Sequence, residues 1–241
     1  MDGSQKVEIS AVIPVFNEEE NLPVLIPRVI EVFDHLSKVC EVICVDDGSS
    51  DDSRNILRKM AIQHPTLRVI GLKENRGLST ALLAGIREAR GDILITLDSD
   101  LQNDPTDIPK LLQYLDRYDM ATGWRQKRHD PWIKRIASRV GNGVRNRLSG
   151  ETIHDSACTL RVFKKECFGA VPVFNGMHRF LSTLVKMEGF RIVEVPVSHH
   201  PRRYGKSKYN IRNRMIRSFT DLLAVRWMKD RRVRYEIEER I

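Results

Sequence analysis

The sequence predicts an α/β fold: a mostly parallel, doubly wound sheet with helices on both faces. Two observations lead there. Short apolar runs rich in β-branched residues alternate with helical patterns from residue 8 to residue 123. These runs are predominantly apolar and do not alternate strictly with polar residues, as expected of strands buried on both faces of a parallel sheet. A chain of 241 residues is long enough to enclose one sizeable core of this kind.

The elements follow in order. Residues 8–15 (Glu-Ile-Ser-Ala-Val-Ile-Pro-Val) read as a first strand, with Pro14 near its end, where a missing ladder donor does little harm. After Phe16-Asn17-Glu18-Glu19-Glu20, apolar spacing from Leu22 to Leu36 predicts a helix whose acidic approach suits its dipole. Glu41–Val45 is a second strand, ending in Asp46-Asp47-Gly48-Ser49-Ser50-Asp51-Asp52. Gly48 permits a tight turn, and the Ser and Asp residues after it can cap a helix that runs to about His64. Leu67–Leu72 is a third strand, and Asn75-Arg76-Gly77 turns into a helix ending near Gly91. Ile93–Leu97 is the fourth strand and Asp119–Gly123 a fifth. Met177–Glu188 reads as a helix and Phe190–Val197 as a strand.

Composition sets bounds on function. Hydrophobic residues at 41% with 30% charged describe a globular protein, not a disordered one. The four cysteines form no C-x-x-C pair and no metal-ligand spacing with histidine, so reduced, buried thiols are expected. The chain has no N-terminal apolar signal and no run of 18 apolar residues. That predicts a cytoplasmic protein that neither enters the secretory route nor spans a bilayer. A G-x-x-x-x-G-K-[ST] loop is missing, and Gly141-Asn-Gly143 fails the dinucleotide fingerprint at its third glycine. NAD-dependent dehydrogenases and P-loop ATPases are thereby disfavoured.

Charge is unevenly placed. From Arg202 onward 13 Lys/Arg face 5 Asp/Glu, a surplus equal to the +8 of the whole chain. Within 124–150, eight Lys/Arg are interrupted by Trp132, Ile136, Val140, Val144 and Leu148 at helical spacing. This predicts an amphipathic helix with a basic face, or equally a surface helix resting on the sheet. Arg202–Tyr209 carries four cations, a glycine and a serine, which suits either a phosphate grip or a solvated charge run. Ile211, Met215, Ile216, Phe219, Leu222, Leu223 and Trp227 share a helical stripe flanked by arginines. The headgroup layer of a membrane, the protein body and a partner helix all fit that stripe.

The chemistry centres on the end of the fourth strand, Asp98-Ser99-Asp100-Leu101-Gln102. In open α/β sheets ligands sit beyond the carboxyl ends of strands. If the strand continued through them, Asp98 and Asp100 would point to one face. Two carboxylates there repel each other unless a hard cation lies between them. A solvated turn capping the helix that Asp104-Pro105 starts would also explain the pattern.

Four motifs in this order carry a resemblance. Val12-Ile13-Pro14-Val15-Phe16-Asn17-Glu18, Val45-Asp46-Asp47-Gly48-Ser49, Asp98-Ser99-Asp100-Leu101-Gln102-Asn103-Asp104-Pro105 and Arg203-Tyr204-Gly205-Lys206-Ser207-Lys208-Tyr209 resemble the family 2 glycosyltransferases. Within them the sequence is most similar to the dolichol-phosphate mannose synthase-like, or polyprenyl-phosphate, branch, from about residue 8 to 215. The resemblance implies a GT-A (Rossmann-like) fold and inverting transfer from a UDP- or GDP-sugar to undecaprenyl or dolichyl phosphate, for cell-envelope glycan modification. It implies that Pro14, Phe16, Glu18, Asp46 and Asp47 hold base and ribose, with Arg76 and Gly77 lining the same pocket. Asp98, Asp100 and Gln102 would bind Mg²⁺ or Mn²⁺. Arg125, Arg135 and Ser138 would face the acceptor phosphate, Asp155 would lie near the sugar, and Arg203 and Lys208 would close on the phosphates. Residues 1–210 would form the transferase domain and 211–241 a basic amphipathic segment.

Two departures stand out. Ser99 occupies a position where alanine is usual. Many relatives continue into transmembrane helices, so attachment here is expected to be peripheral, on the cytoplasmic face of the inner membrane, or through a membrane partner. A homo-oligomer is compatible with the sequence; nucleic acid is not an expected partner, because the tail lacks interleaved stacking aromatics. The rival readings are transfer to a saccharide or protein and an inactive sugar-nucleotide-binding module.

Overall fold

A computed structural model describes residues 6–126, 143, 153–204, 211–232 and 239. One seven-stranded sheet organises the chain, in the order β3-β2-β1-β4-β6-β5-β7. Strands β1 (Ile9–Val15), β2 (Cys40–Asp46), β3 (Leu67–Gly71) and β4 (Ile93–Thr96) pair in parallel. They alternate with α1 (Leu22–Asp34), α2 (Ser53–Gln63) and α3 (Leu78–Glu88), as the apolar runs predict. Beyond β4 the pattern changes. Strand β6 (Arg161–Lys164) inserts antiparallel between β4 and β5 (Met120–Trp124), and β7 (Ile192–Pro196) returns parallel to β5.

Strand β1 is buried along its whole length. Ile9, Ala11, Ile13 and Val15 face α1, while Val12 faces the layer that contains α3. This two-sided burial explains why its sequence is apolar except at Ser10, whose hydroxyl is paired with Glu41. Pro14 fits because of register. Val12 is the last β1 residue paired with β4, and its carbonyl accepts from Leu97 N. Pro14, two residues on, addresses the same side, where β4 has already turned away. Helix α3 lies so close to the sheet that a Cβ on Gly85 would sit 2.4 Å from Val12 Cγ1.

The expected helix after Asp104-Pro105 is a 3-10 turn (Pro105–Asp107) running into α4 (Ile108–Leu112), with the Asp104 carboxylate accepting from Thr106 N. Met177–Glu188 divides into a 3-10 turn (Met177–Arg179) and α6 (Leu181–Met187), and a short α5 (Lys165–Gly169) follows β6. Helix α7 (Ile211–Asp230) inserts Leu222 and Val225 into the core beside Phe180 and Leu181. Phe219, Leu223 and Trp227 on its other side are 51%, 46% and 62% exposed. All four cysteines are free and buried, and burial pushes the Cys40 and Cys158 thiols up to about 11 and Cys167 to about 12. No helix among the described residues is long and apolar enough to cross a membrane. The basic helix expected within 124–150 lies mostly outside the described residues.

Charged clamps fix the amino ends of the sheet. Glu41 is buried and accepts from Ser10 Oγ, Arg90 N, Arg90 Nε and Arg68 Nη1 at 2.7–3.0 Å. Burial pushes its carboxyl up, but these donors outweigh it and hold it below the ordinary range. Asp119, at the head of β5, accepts from Arg191 N at 2.9 Å and Lys164 Nζ at 2.9 Å, joining β5 to β7 and β6. Burial raises its carboxyl; the Arg191 N–H, the Lys164 ammonium and the Arg191 guanidinium together bring it down to about 2.

A carboxyl whose folded pKa lies below its unfolded value of about 3.9 stabilises the fold above that pH and loses its contribution as pH falls towards the folded value. Its partners are partly solvated, so Asp119 contributes on the order of 1 kcal/mol. Urea unfolding of Asp119→Asn is expected to show a deficit of about 1 kcal/mol at pH 7 that shrinks towards zero near pH 2. An equal deficit at both pH values contradicts the assignment.

Candidate active site

Strand order reverses between β1 and β4, and the carboxyl ends of β1, β2, β4, β5 and β7 open on the same edge. Such a switch point leaves a crevice because neighbouring connections diverge to opposite faces. The first wall comes from the β1 end. Asn17 adopts φ +53, which an Asn tolerates better than most residues. Its N–H donates to Ser49 Oγ at 2.9 Å and its Oδ1 accepts from Ser50 N at 2.7 Å. Glu18 N donates to Ser53 Oγ, and the buried Glu18 carboxylate accepts from Asn21 Nδ2. Pro14 is buried and Phe16 half-buried beside this turn.

The second wall is the β2 end. Asp46 accepts from Arg54 Nε at 2.5 Å and from Ser49 N at 3.1 Å. Asp47 accepts from Arg76 N at 2.7 Å and Gly77 N at 2.8 Å, fastening the start of α3. Burial raises the Asp47 carboxyl; the two N–H groups lower it, the Asp46 charge adds to the rise, and the net shift is upward. Gly48 has φ +68, and a Cβ there would lie 2.6 Å from Asn75 N. The turn after β2 therefore touches the turn before α3, and only glycine permits it. The Asp46 and Asp47 carboxylates thus spend much of their hydrogen-bonding capacity on the frame around the crevice. The Arg76 side chain is exposed and paired with Glu74.

The floor differs from the expectation of a strand running straight through the acidic motif. Strand β4 ends at Thr96, and the chain turns, with Leu101 at φ +61. Asp98 and Asp100 are brought together by this turn, not by the pleat. Burial, with the Asp100 charge adding to it, pushes the Asp98 carboxyl up to about 6 against the Thr159 hydroxyl and the charges of Arg161 and Arg125. Asp100 Oδ1 accepts from Gln102 N at 3.2 Å, and its Oδ2 accepts from Arg202 Nη2 at 2.7 Å.

The far wall is cationic. Arg125 follows β5, and its guanidinium donates to Asp155 in a bidentate pair, Nε–Oδ2 2.7 Å and Nη2–Oδ1 2.9 Å, buried on both sides. Beside it Trp124 stacks on His154 at 4.6 Å, and Glu194 accepts from the N–H groups of His154 and Asp155. Because β6 runs antiparallel, its first residue, Arg161, lies at the site end. Arg161 is buried, donates to Ser156 O at 3.0 Å, and lines a small cleft with Pro14, Leu78, Asp98, Thr159 and His178.

The structure therefore gathers Pro14, Asp98, Asp100, Arg125 and Asp155 around one crevice, framed by Glu18, Asp46, Asp47 and Gly77. Arg203 is exposed, with its guanidinium 5.5 Å from the Tyr204 ring centre, while Arg202 reaches the carboxylates. Arg135, Ser138 and Lys208 lie outside the described residues. Arg161, Thr159 and His178 escaped the sequence-based site, and Arg202 entered it only as one cation of the Arg202–Tyr209 loop. A charged residue inside the apolar run Leu160-Arg161-Val162-Phe163 is a readable signal for the first. His178 is held by Ser79 Oγ at 2.7 Å, across 99 residues of sequence, and no local pattern reveals it.

The residues suit a divalent cation. Asp98 and Asp100 are hard oxygen donors whose mutual charge already strains the ionisation of Asp98. Among the described residues no group of three or more His, Cys, Asp or Glu could form a cage. Mg²⁺-type ions commonly take one or two carboxylates and fill their shell with phosphate oxygens and water. Gln102 could add an amide oxygen.

At the switch point the crevice sets paired acids opposite buried arginines, an arrangement found at the sites of α/β enzymes. The model of "Glycosyl transferase family 2" matches residues 10–171, and the chain belongs to that family of glycosyltransferases. It is 39% identical over 219 residues to an undecaprenyl-phosphate 4-deoxy-4-formamido-L-arabinose transferase of Edwardsiella ictaluri (strain 93-146), covering 90% of this chain and 67% of the relative. It is 38% identical over 230 residues to the dodecaprenyl-phosphate galacturonate synthase of Rhizobium johnstonii, covering 93% and 68%. The GT-A fold is shared with the crystal structure of Mycobacterium tuberculosis glucosyl-3-phosphoglycerate synthase in complex with Mn²⁺, UDP and glucosyl-3-phosphoglycerate. That likeness has a TM-score of 0.67 at 18% identity and covers 92% of this chain and 80% of the other.

Removing one member of a buried ion pair leaves its partner's charge stranded, at a cost of about 3–5 kcal/mol. Asp155→Ala is expected to lose about that much stability in urea unfolding, whereas Asp155→Asn, which keeps an acceptor for Arg125, loses clearly less. Equal losses contradict the reading of Asp155 as the residue that fixes Arg125.

Proposed function

We propose that this glycosyltransferase moves a sugar, with inversion, from a nucleoside diphosphate donor to a polyprenyl phosphate. The observation that carries the reading is the Asp98/Asp100 pair facing the buried Arg125 and Arg161 and bonded to Arg202. The names of both relatives, each a polyprenyl-phosphate sugar transferase or synthase, support the acceptor class. The UDP and Mn²⁺ of the mycobacterial neighbour support a UDP-sugar donor and Mg²⁺ or Mn²⁺ as cofactor. The product would serve cell-envelope glycan modification.

Bound between Asp98 and Asp100, a divalent cation would neutralise the diphosphate as the anomeric bond breaks. The chain's residues do the rest. Glu18, Asp46 and Asp47 frame the base and ribose pocket, with Pro14, Phe16, Arg76 and Gly77 along its lining. Arg125 presents a positive, pre-oriented guanidinium to the acceptor, held by Asp155. A phosphate monoester has a second pKa near ~6 and is mostly ionised at neutral pH. It can attack without a protein base, so Asp155 serves as a positioning group.

Transfer of labelled sugar into a chloroform-extractable product tests the function directly. The wild type is expected to form it only with Mg²⁺ or Mn²⁺, and Asp98→Ala is expected to lose at least about 10³-fold in rate. Label that stays in the aqueous phase on a saccharide or protein, or transfer that persists in chelator, refutes the assignment. Thermal shift against a panel of nucleotide sugars identifies the donor, since a ligand at about 100 times its dissociation constant adds about 2.7 kcal/mol.

The acceptor reading also requires contact with a lipid surface. The face of α7 bearing Phe219, Leu223 and Trp227 stands beside Arg226, with Arg231 one turn beyond Trp227, a combination suited to anionic headgroups. Ion pairs Arg179–Asp221 and Arg232–Glu188 fasten the helix to the body, so this face would lie on the membrane as a fixed ledge, on the cytoplasmic leaflet. Changing Phe219, Leu223 and Trp227 to Ser is expected to weaken binding to anionic vesicles by about tenfold or more. Unchanged binding contradicts peripheral attachment through α7.

A further inference from the structure

Asp100 is bonded to a cation of the chain's own. Its Oδ2 accepts from Arg202 Nη2 at 2.7 Å, and the two side chains are 11% and 29% exposed. Among the described residues Asp100 is the one hydrogen-bond partner of the Arg202 guanidinium. The base from which Arg202 reaches is stapled down. Ser198 N donates to Asp107 Oδ2 at 2.7 Å, His200 N donates to Gln102 O at 2.9 Å, and His200 Nε2 lies 3.0 Å from Asp104 Oδ2. Asn103 and His199 form an isolated bridge between the same two segments. The backbone on both sides of the pair is therefore fixed, and the long arginine side chain is the part able to move.

Resting on the reading of Asp98 and Asp100 as metal ligands, we propose that Arg202 and the divalent cation exclude one another at Asp100. Metal occupancy and diphosphate binding would then be linked through this one guanidinium. A carboxylate bonded to an arginine has lost much of its attraction for a second cation, and a divalent ion on Asp100 repels the guanidinium across a few ångströms. In the absence of nucleotide the two compete. When a diphosphate arrives with the metal, the displaced Arg202 gains an anionic partner at the same lip of the crevice, and the penalty is removed. The metal then tightens the diphosphate and, by thermodynamic reciprocity, the diphosphate tightens the metal by the same factor. Arg202 supplies that coupling while leaving the site itself to Asp98 and Asp100.

The alternative geometry keeps Arg202 on Asp100 as a support that orients the carboxylate for the ion, and it predicts the opposite sign. Free Mn²⁺ followed by electron paramagnetic resonance, with and without UDP, separates the two in wild type, Arg202→Gln and Arg202→Lys. Exclusion predicts that Arg202→Gln binds Mn²⁺ about tenfold more tightly than wild type when UDP is absent. It also predicts that the tightening of Mn²⁺ by UDP, about tenfold or more in wild type, falls to a few-fold in Arg202→Gln. Arg202→Lys, which keeps the charge, should stay near wild type in both. Equal or weaker Mn²⁺ binding by Arg202→Gln without UDP overturns exclusion. Mn²⁺ binding by wild type that survives Asp98→Ala instead overturns the metal-site reading, and exclusion falls with it.

Discussion

Negative charge concentrated at the carboxyl edge between β1 and β4 is the constraint that the rest of the molecule answers. Asp46, Asp47, Asp98 and Asp100 gather where four parallel strands end, and burial together with a neighbouring carboxylate charge pushes the Asp47 and Asp98 carboxyls up. The chain neutralises them unequally. Arg54 and backbone N–H groups occupy Asp46 and Asp47, Arg202 occupies Asp100, and Asp98, with the Thr159 hydroxyl and the charges of Arg161 and Arg125 beside it, still has its carboxyl pushed up to about 6. That gradient, from fully framed acids to an under-compensated one, separates the structural carboxylates from the candidate ligand.

Holding like charges together requires a rigid frame, and the frame is built at the opposite end. Glu41 ties β1, β2, β3 and the turn before β4, while Asp119 ties β5, β6 and β7. Between these clamps the sheet is buried on both faces, so its strand ends have little freedom to part. The antiparallel insertion of β6 matters for the same reason. It turns Thr159 and Arg161 back towards Asp98, delivering positive charge to the centre of the site from a segment distant in sequence.

The parallel half of the fold was legible because its strands are predominantly apolar and its turns carry Gly48 and the acidic caps. The acidic motif after β4 was legible because two carboxylates and an amide follow a buried apolar strand directly. What stayed hidden depends on direction and on long-range contacts. The antiparallel course of β6 leaves no trace in a strand of four residues. The division of the α7 stripe, with Leu222 and Val225 inward and Phe219 and Trp227 outward, depends on which neighbour the helix meets. Adjacent arginines 202 and 203 are equivalent in a charge pattern, and only the staples at His199 and His200 decide which one reaches Asp100.

In the proposed reading Asp98 and Asp100 would together hold the divalent cation that neutralises a donor diphosphate. Anomalous diffraction at the manganese edge from crystals soaked in Mn²⁺ and UDP tests it most directly. One peak about 2.1 Å from oxygens of both carboxylates and of the diphosphate is expected. A diphosphate bound in the crevice with no peak there, or with the metal held by other residues, would contradict it.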